Sequence, residues 1–183
     1  MRYPVFFAAA LALAVVQPVL AQSAPARVSD AALACPKQDV AADLPGKLID
    51  AMLSGATRTP EGKALFERFE AAAAQCAEKH SVPASLRGTY AAYAFDLVMR
   101  DELARRLRAA KVPVEALDEA LGYGPGRPNP VIQRVEQSHV DKMTAAARKR
   151  GYDLEKAPEE VLRYVGMYVG AQSGLVEDLA ALR

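Results

Sequence analysis

The sequence predicts an all-α protein, a single-domain helical bundle of about five or six helices carrying one disulfide. Three observations predict it. Apolar residues recur at spacings of three and four, capping residues and prolines open one helix after another, and alanine-rich stretches favour helix between those starts. No persuasive strand pattern and no internal repeat interrupts this reading.

The N-terminus reads differently. Arg2 precedes Val5 to Val16, an almost unbroken run of alanine, leucine, valine and phenylalanine, and Pro18 breaks the run ahead of Val19-Leu20-Ala21. That order predicts a secretory signal peptide over residues 1–21, cleaved after Ala21. The run is shorter than the ~20 residues of a spanning helix, so no stable membrane insertion is expected after cleavage. Ala32-Leu33-Ala34-Cys35 has the look of a lipidation box, but polar residues from Gln22 to Asp30 separate it from the apolar run. The expected destination is the periplasm or the exterior.

Export gives the two cysteines their meaning. Cys35 and Cys76 are the only ones in the chain, and an even count in an oxidising compartment predicts a bridge. Closing that loop stabilises a fold by about 4 kcal/mol through chain entropy. Residues 22–42 are expected to be a flexible N-terminal segment pinned at Cys35, and residues 43–183 the helical domain.

Within that domain, Asp43-Leu44-Pro45 opens a short helix to about Leu53, closed by Ser54-Gly55. Thr59-Pro60-Glu61 supplies a cap, a first-turn proline and an acid near the positive helix end. The helix should reach Lys79, with Leu65, Phe69, Ala72 and Cys76 as its inward stripe. Ser81-Val82-Pro83 restarts the chain into the longest helix, to about Lys111, and Val112-Pro113 introduces a short one to about Leu121. Glycine and proline are too dense from Gly122 to Pro130 for regular structure. A helix is expected from about Val131 to Arg150, and the last runs from Ala157-Pro158-Glu159 to the C-terminus.

Charge narrows the function classes. The chain has 23 basic and 22 acidic residues, and loss of Arg2 with the leader would balance them. Nucleic-acid binding needs a positive excess to neutralise phosphates, so no nucleic-acid partner is expected. No His-Glu-x-x-His, Ser-x-x-Lys, Gly-x-Ser-x-Gly, Walker or Cys-x-x-Cys-His motif occurs, and neither cofactor nor metal is expected. Catalytic residues are therefore not assigned, although a scattered active site would leave no motif.

Several residues remain as candidates. Glu136 and His139 have the spacing that puts a carboxylate and an imidazole on one helix face. Di-iron bundles use that pair twice, and the second copy before His80 fails because position 77 is Ala77. A hydrogen-bonded histidine at the core edge is the simpler expectation. Asp96 lies in an apolar stretch, with Arg100 one turn on as its expected ion-pair partner. With Tyr90 and Tyr93, these residues would form the pocket of a small envelope enzyme or small-molecule binder.

The last helix carries the clearest pattern. Val161, Val165, Val169, Gln172 and Val176 share one face, and Gly166, Gly170 and Gly174 follow one another at four-residue intervals on the other. Each glycine costs a helix about 1 kcal/mol relative to alanine, so three on one line call for a close neighbour. Packing within the monomer, against the alanine-rich Ala71 to Ala74 stretch, is the favoured expectation; an open face receiving a partner is the other. Gln172 either sets the register of a buried seam or touches a ligand. Tyr123 and Arg127, in the proline-glycine loop, are candidate recognition residues. These readings favour an exported protein acting by protein–protein contact, as a chaperone, inhibitor or assembly factor, on another envelope protein or on itself.

Overall fold

The computed structural model describes residues 27–183; the expected signal peptide, and residues 22–26 after it, lie outside the described residues. What is described is all helix and connection: α1 (Asp30–Asp39), α2 (Leu44–Ser54), α3 (Pro60–Lys79), α4 (Arg87–Ala109), α5 (Val114–Leu121), α6 (Gln137–Lys149) and α7 (Glu159–Leu182), with three single-turn 3-10 segments between them. The count is one above the expected five or six because α1 forms within the segment expected to be flexible.

Pro36 lies inside α1 and gives it a specific requirement. A proline has no N–H, so the carbonyl of Ala32, four residues earlier, loses its helical donor. Two tyrosines of α4 meet this stretch: the Tyr90 hydroxyl donates to the Ala32 carbonyl at 2.7 Å, and the Tyr93 hydroxyl donates to the Leu33 carbonyl at 3.1 Å. The Ser29 side chain caps the start of α1 by accepting from the Ala32 N–H. Cys35 is bridged to Cys76 of α3, with Cα atoms 5.9 Å apart. A short helix with an internal proline is therefore held from three sides.

The other starts follow the sequence closely. Thr59 accepts from the Gly62 N–H at 3.1 Å with Pro60 in the first turn. Gly62 is required there, because the Ala56 carbonyl fills the place a β-carbon would take. The connection from α5 to α6 is locked by Asn129, whose side chain accepts from the Gly124 N–H at 2.8 Å and donates to the Gly124 and Arg127 carbonyls. The expected helix from Val131 to Arg150 starts six residues late, at Gln137, since residues 131–136 run as irregular chain.

Helices α4 and α7 form the spine. They run antiparallel, as the pairs Asp96 with Gly174 and Arg106 with Tyr164 require. The larger core cluster gathers Leu44, Leu48, Phe69, Leu103, Leu107, Leu117, Met143 and Val169 around them, and a smaller one joins Val28, Leu33, the bridge, Tyr90 and Leu182. The Val28 N–H donates to the Leu182 carbonyl at 2.9 Å, closing the start of the described chain on the end of α7. Among the described residues no helix is long and apolar enough to cross a membrane.

Arg106 ties three helices together. Its guanidinium reaches Asp50 at 2.6 Å and the Gly46 carbonyl at 2.9 Å on α2, Glu102 at 3.0 Å on α4, and the Tyr164 hydroxyl at 3.1 Å on α7. A planar fork with five donors suits a junction of this kind.

Candidate functional site

Two surface features have the character of sites. The first is a groove of about 340 Å³ between α6 and α7, lined by Val135, Val140, Met143, Leu154, Leu162 and Val165, with Gly166 at its edge. Helix α6 packs chiefly on α5, and the space towards α7 is left unfilled. Val135, Val140 and Leu162 are 43, 40 and 45% exposed, three of the five large apolar side chains that the described surface leaves in water, and a fourth, Val131, lies just upstream. Single exposed apolar residues are ordinary; a concentration around one groove marks a place of contact.

The glycine line meets this groove and divides. A β-carbon at Gly166 or Gly170 would touch nothing within 4 Å, whereas at Gly174 it would fall on the Asp96 carboxylate. The expectation that all three pack inside the monomer therefore holds for Gly174 alone. Ala71 to Ala74 do not supply the neighbour, since α7 lies against α4. Gly166 and Gly170 leave bare helix backbone at the surface, running on from the apolar groove.

The second feature is a cleft of about 330 Å³ where α4, α5, the proline-glycine loop and α7 meet, with Arg100, Arg108, Asp118, Tyr168 and Gln172 on its walls. Arg100 and Arg108 stand two turns apart on one face of α4, and Tyr168 and Gln172 one turn apart on α7. The Tyr168 hydroxyl donates to Asp118 at 2.7 Å. Burial pushes the Asp118 carboxyl above its ordinary range, and the Tyr168 bond and nearby Arg100 oppose that rise. Tyr168 is raised in turn, by burial first and then by its bond to the carboxylate. Tyr123 lies at the margin of the cleft, 2% exposed, its hydroxyl buried without a hydrogen-bond partner among the described residues. Burial raises its phenol, and the adjacent Ser173 hydroxyl offsets part of the rise without reaching bonding geometry. The Ser173 oxygen already accepts from the Ile132 N–H at 2.6 Å.

The pocket expected around Glu136, His139 and Asp96 is not assembled. Glu136 is the cap of α6, and its N–H donates to His139 Nδ1 at 3.1 Å. The three-residue spacing that resembled half a metal site thus fastens a helix start, with the imidazole acting where glutamate or glutamine usually stands. Asp96 is on α4, and its expected partner Arg100 turns instead to Asp101 at 2.9 Å. Left facing Gly174, the Asp96 carboxyl is pushed up to about 7 by burial and by the nearby Asp178. Tyr90 and Tyr93 are occupied by α1, and burial pushes Tyr90 up to about 12. Arg127 reaches back to Glu119 at 3.6 Å, away from the cleft that Tyr123 borders. Gln172 faces the cleft, and Asp96 lines a separate small cavity with Met52, Phe95, Met99 and Met167.

The residues missed from sequence were Arg100 and Arg108 as a pair, Asp118 and Tyr168. The two arginines and Asp118 are ordinary polar helix residues on their own and Tyr168 an ordinary core residue of α7, and only the antiparallel register of α4 on α7 brings them together. Among the described residues, the one cluster with metal-ligand character is Cys35, Asp39 and Cys76, whose two sulfurs are consumed by the bridge.

Among the described residues, the fold and its staple define a small all-α domain of seven helices with one buried disulfide. Compared with protein families, with curated proteins and with solved structures, the chain matches none.

Proposed function

We propose that this is an exported envelope protein that works by protein–protein contact, receiving an amphipathic helix of a partner in the α6–α7 groove. The observation that carries the reading is the concentration of exposed Val135, Val140 and Leu162 around an apolar groove. A helix is the occupant favoured by the next feature along α7. Gly166 and Gly170 present backbone without side chains, which lets a second helix approach closely. Burying an apolar stripe spaced at three and four residues in such a groove is an established mode of helix recognition.

Charge supports an apolar occupant. The charged residue on the groove wall, Glu155, pairs with Arg148 at 2.9 Å, and Arg163 of α7 pairs with Glu159. Neither pair leaves an unanswered charge to steer an ionic partner, so apolar burial supplies the attraction. The bridge between Cys35 and Cys76 supports the exported location, because such bonds persist in oxidising compartments.

The test is a pair of charge insertions. Val140→Glu and Leu162→Glu replace residues that are 40 and 45% exposed, so the monomer should melt as the wild type does. Association with the partner in native envelope extracts should be lost. Unchanged association in the double variant would overturn the proposal.

A further inference from the structure

The cleft at Arg100, Arg108, Asp118, Tyr168 and Gln172 is separate from the apolar groove, and the fold leaves much of its bonding capacity unused. Arg100 commits Nε and Nη2 to Asp101, and Arg108 commits Nε and Nη2 to Glu115, so each retains an Nη1 without a partner among the described residues. Asp118 accepts from Tyr168 through Oδ1, and its Oδ2 has no donor among the described residues. The Gln172 amide, on the cleft wall, makes no hydrogen bond there either. Polar groups short of partners, half-buried at Arg100, Asp118 and Gln172 and exposed at Arg108, are the raw material of a polar binding site.

The charges decide which ligand suits them. The charged residues on the walls balance, Arg100 and Arg108 against Asp101 and Asp118, with Arg100 paired to Asp101 and Arg108 to Glu115 outside the cleft. An anion drawn to the guanidiniums would meet Asp118 beside them, and a cation drawn to Asp118 would meet two guanidiniums. A neutral ligand avoids both conflicts. Its polar groups must both donate and accept, since the walls offer guanidinium donors, a carboxylate acceptor and an amide that is each in turn. Hydroxyl groups do this. Ala104 and Gly124 add a small apolar surface for carbon-bound hydrogens, and a volume of about 330 Å³ lies at the small end of ligand pockets, about 300–1,000 Å³.

We propose that this cleft binds a small neutral polyol of about the size of one hexose or cyclitol ring, with Asp118 and Gln172 accepting from its hydroxyls and the two arginines donating to them. The site is preorganised: Asn129 fixes the adjoining loop through three side-chain bonds to the Gly124 and Arg127 backbone. It is independent of the partner groove, so the two can fail separately.

Isothermal titration and saturation-transfer NMR on the full mature chain test this with D-glucose, D-galactose, D-mannose and myo-inositol, beside glycine and L-glutamate. At least one polyol should bind saturably. Asp118→Asn keeps an acceptor for the Tyr168 hydroxyl and should weaken that binding about tenfold or more, as expected for a lost bond to a charged group. Gln172→Ala should weaken it several-fold, and both variants should keep the wild-type melting curve. Saturable binding by none of the four polyols, preference for glycine or L-glutamate, or undiminished binding in both folded variants would overturn the proposal.

Discussion

Tyr90 and Pro36 form a testable unit because one supplies what the other removes. Pro36 cannot donate to the Ala32 carbonyl, and the Tyr90 hydroxyl does so at 2.7 Å from a fully buried position. Tyr90→Phe leaves the ring and its packing in place and strands a buried acceptor, which costs about 1–3 kcal/mol. For a domain of this size, each kcal/mol moves the melting midpoint by about 2–4 °C. The loss is thus easily measured by thermal or urea melts followed by circular dichroism under non-reducing conditions. Pro36→Ala restores a backbone N–H at the position that can satisfy Ala32. In that background Tyr90→Phe should cost at least about 1 kcal/mol less, a coupling well above the roughly 0.3–0.5 kcal/mol scatter of independent sites. Additive effects, or a neutral Tyr90→Phe, would refute the claim that the phenol stands in for the missing amide.

Three further outcomes follow from particular contacts. Gly166→Ala and Gly170→Ala should each stabilise the monomer by up to about 1 kcal/mol, while Gly174→Ala should show no such gain until Asp96 is shortened to serine; denaturant melts of the series decide it. Arg106→Ala should cost about 1–3 kcal/mol in the same assay, because it opens the α2–α4–α7 junction at Asp50, Gly46 and Tyr164 while Glu102 keeps Arg105, and Arg106→Lys should recover only part of this. The Asp96 carboxyl, pushed up to about 7 in the fold against about 3.9 unfolded, holds its proton more tightly when folded. Its contribution is therefore fully present below about pH 4 and is lost as pH rises through about 7. Because Asp96 is only part-buried, the change is modest; stability should fall between pH 5 and pH 8 in the wild type and fall less in Asp96→Asn.

Much of the fold was legible because local signals and burial agree. Thr59-Pro60, Val112-Pro113 and Ala157-Pro158 mark boundaries through the missing N–H of proline, a property independent of tertiary context. The bridge was legible from the expected export and the even count of cysteines. Helix α1 was not, because its internal Pro36 argues against helix and only the distant Tyr90 and Tyr93 compensate. The start of α6 was misplaced for a related reason. Ile132 and Val135 continue the apolar spacing of the helix, yet Ile132 N–H is held by Ser173 of α7, a bond made across 41 residues. Glu136 and His139 show how one spacing serves two ends: the separation that aligns two ligands also aligns a cap with the third helical residue. Gly174 and Gly170 are alike in sequence, and only the neighbour opposite, Asp96 or solvent, separates a packing glycine from an open one. The polar cleft was hardest to foresee, since its walls come from three helices and one loop.

The central claim, that the α6–α7 groove receives a partner helix, is tested most directly by photo-crosslinking in the native cells. A photoreactive amino acid is placed at Leu162, at the groove, and in a parallel strain at Glu67, exposed on α3. The account predicts a discrete product from position 162 alone, abolished by Val140→Glu, whose partner peptide maps to a helix with apolar residues at three- and four-residue spacing. A product joining two copies of this chain, equal labelling from both positions, or no product from position 162 would contradict it.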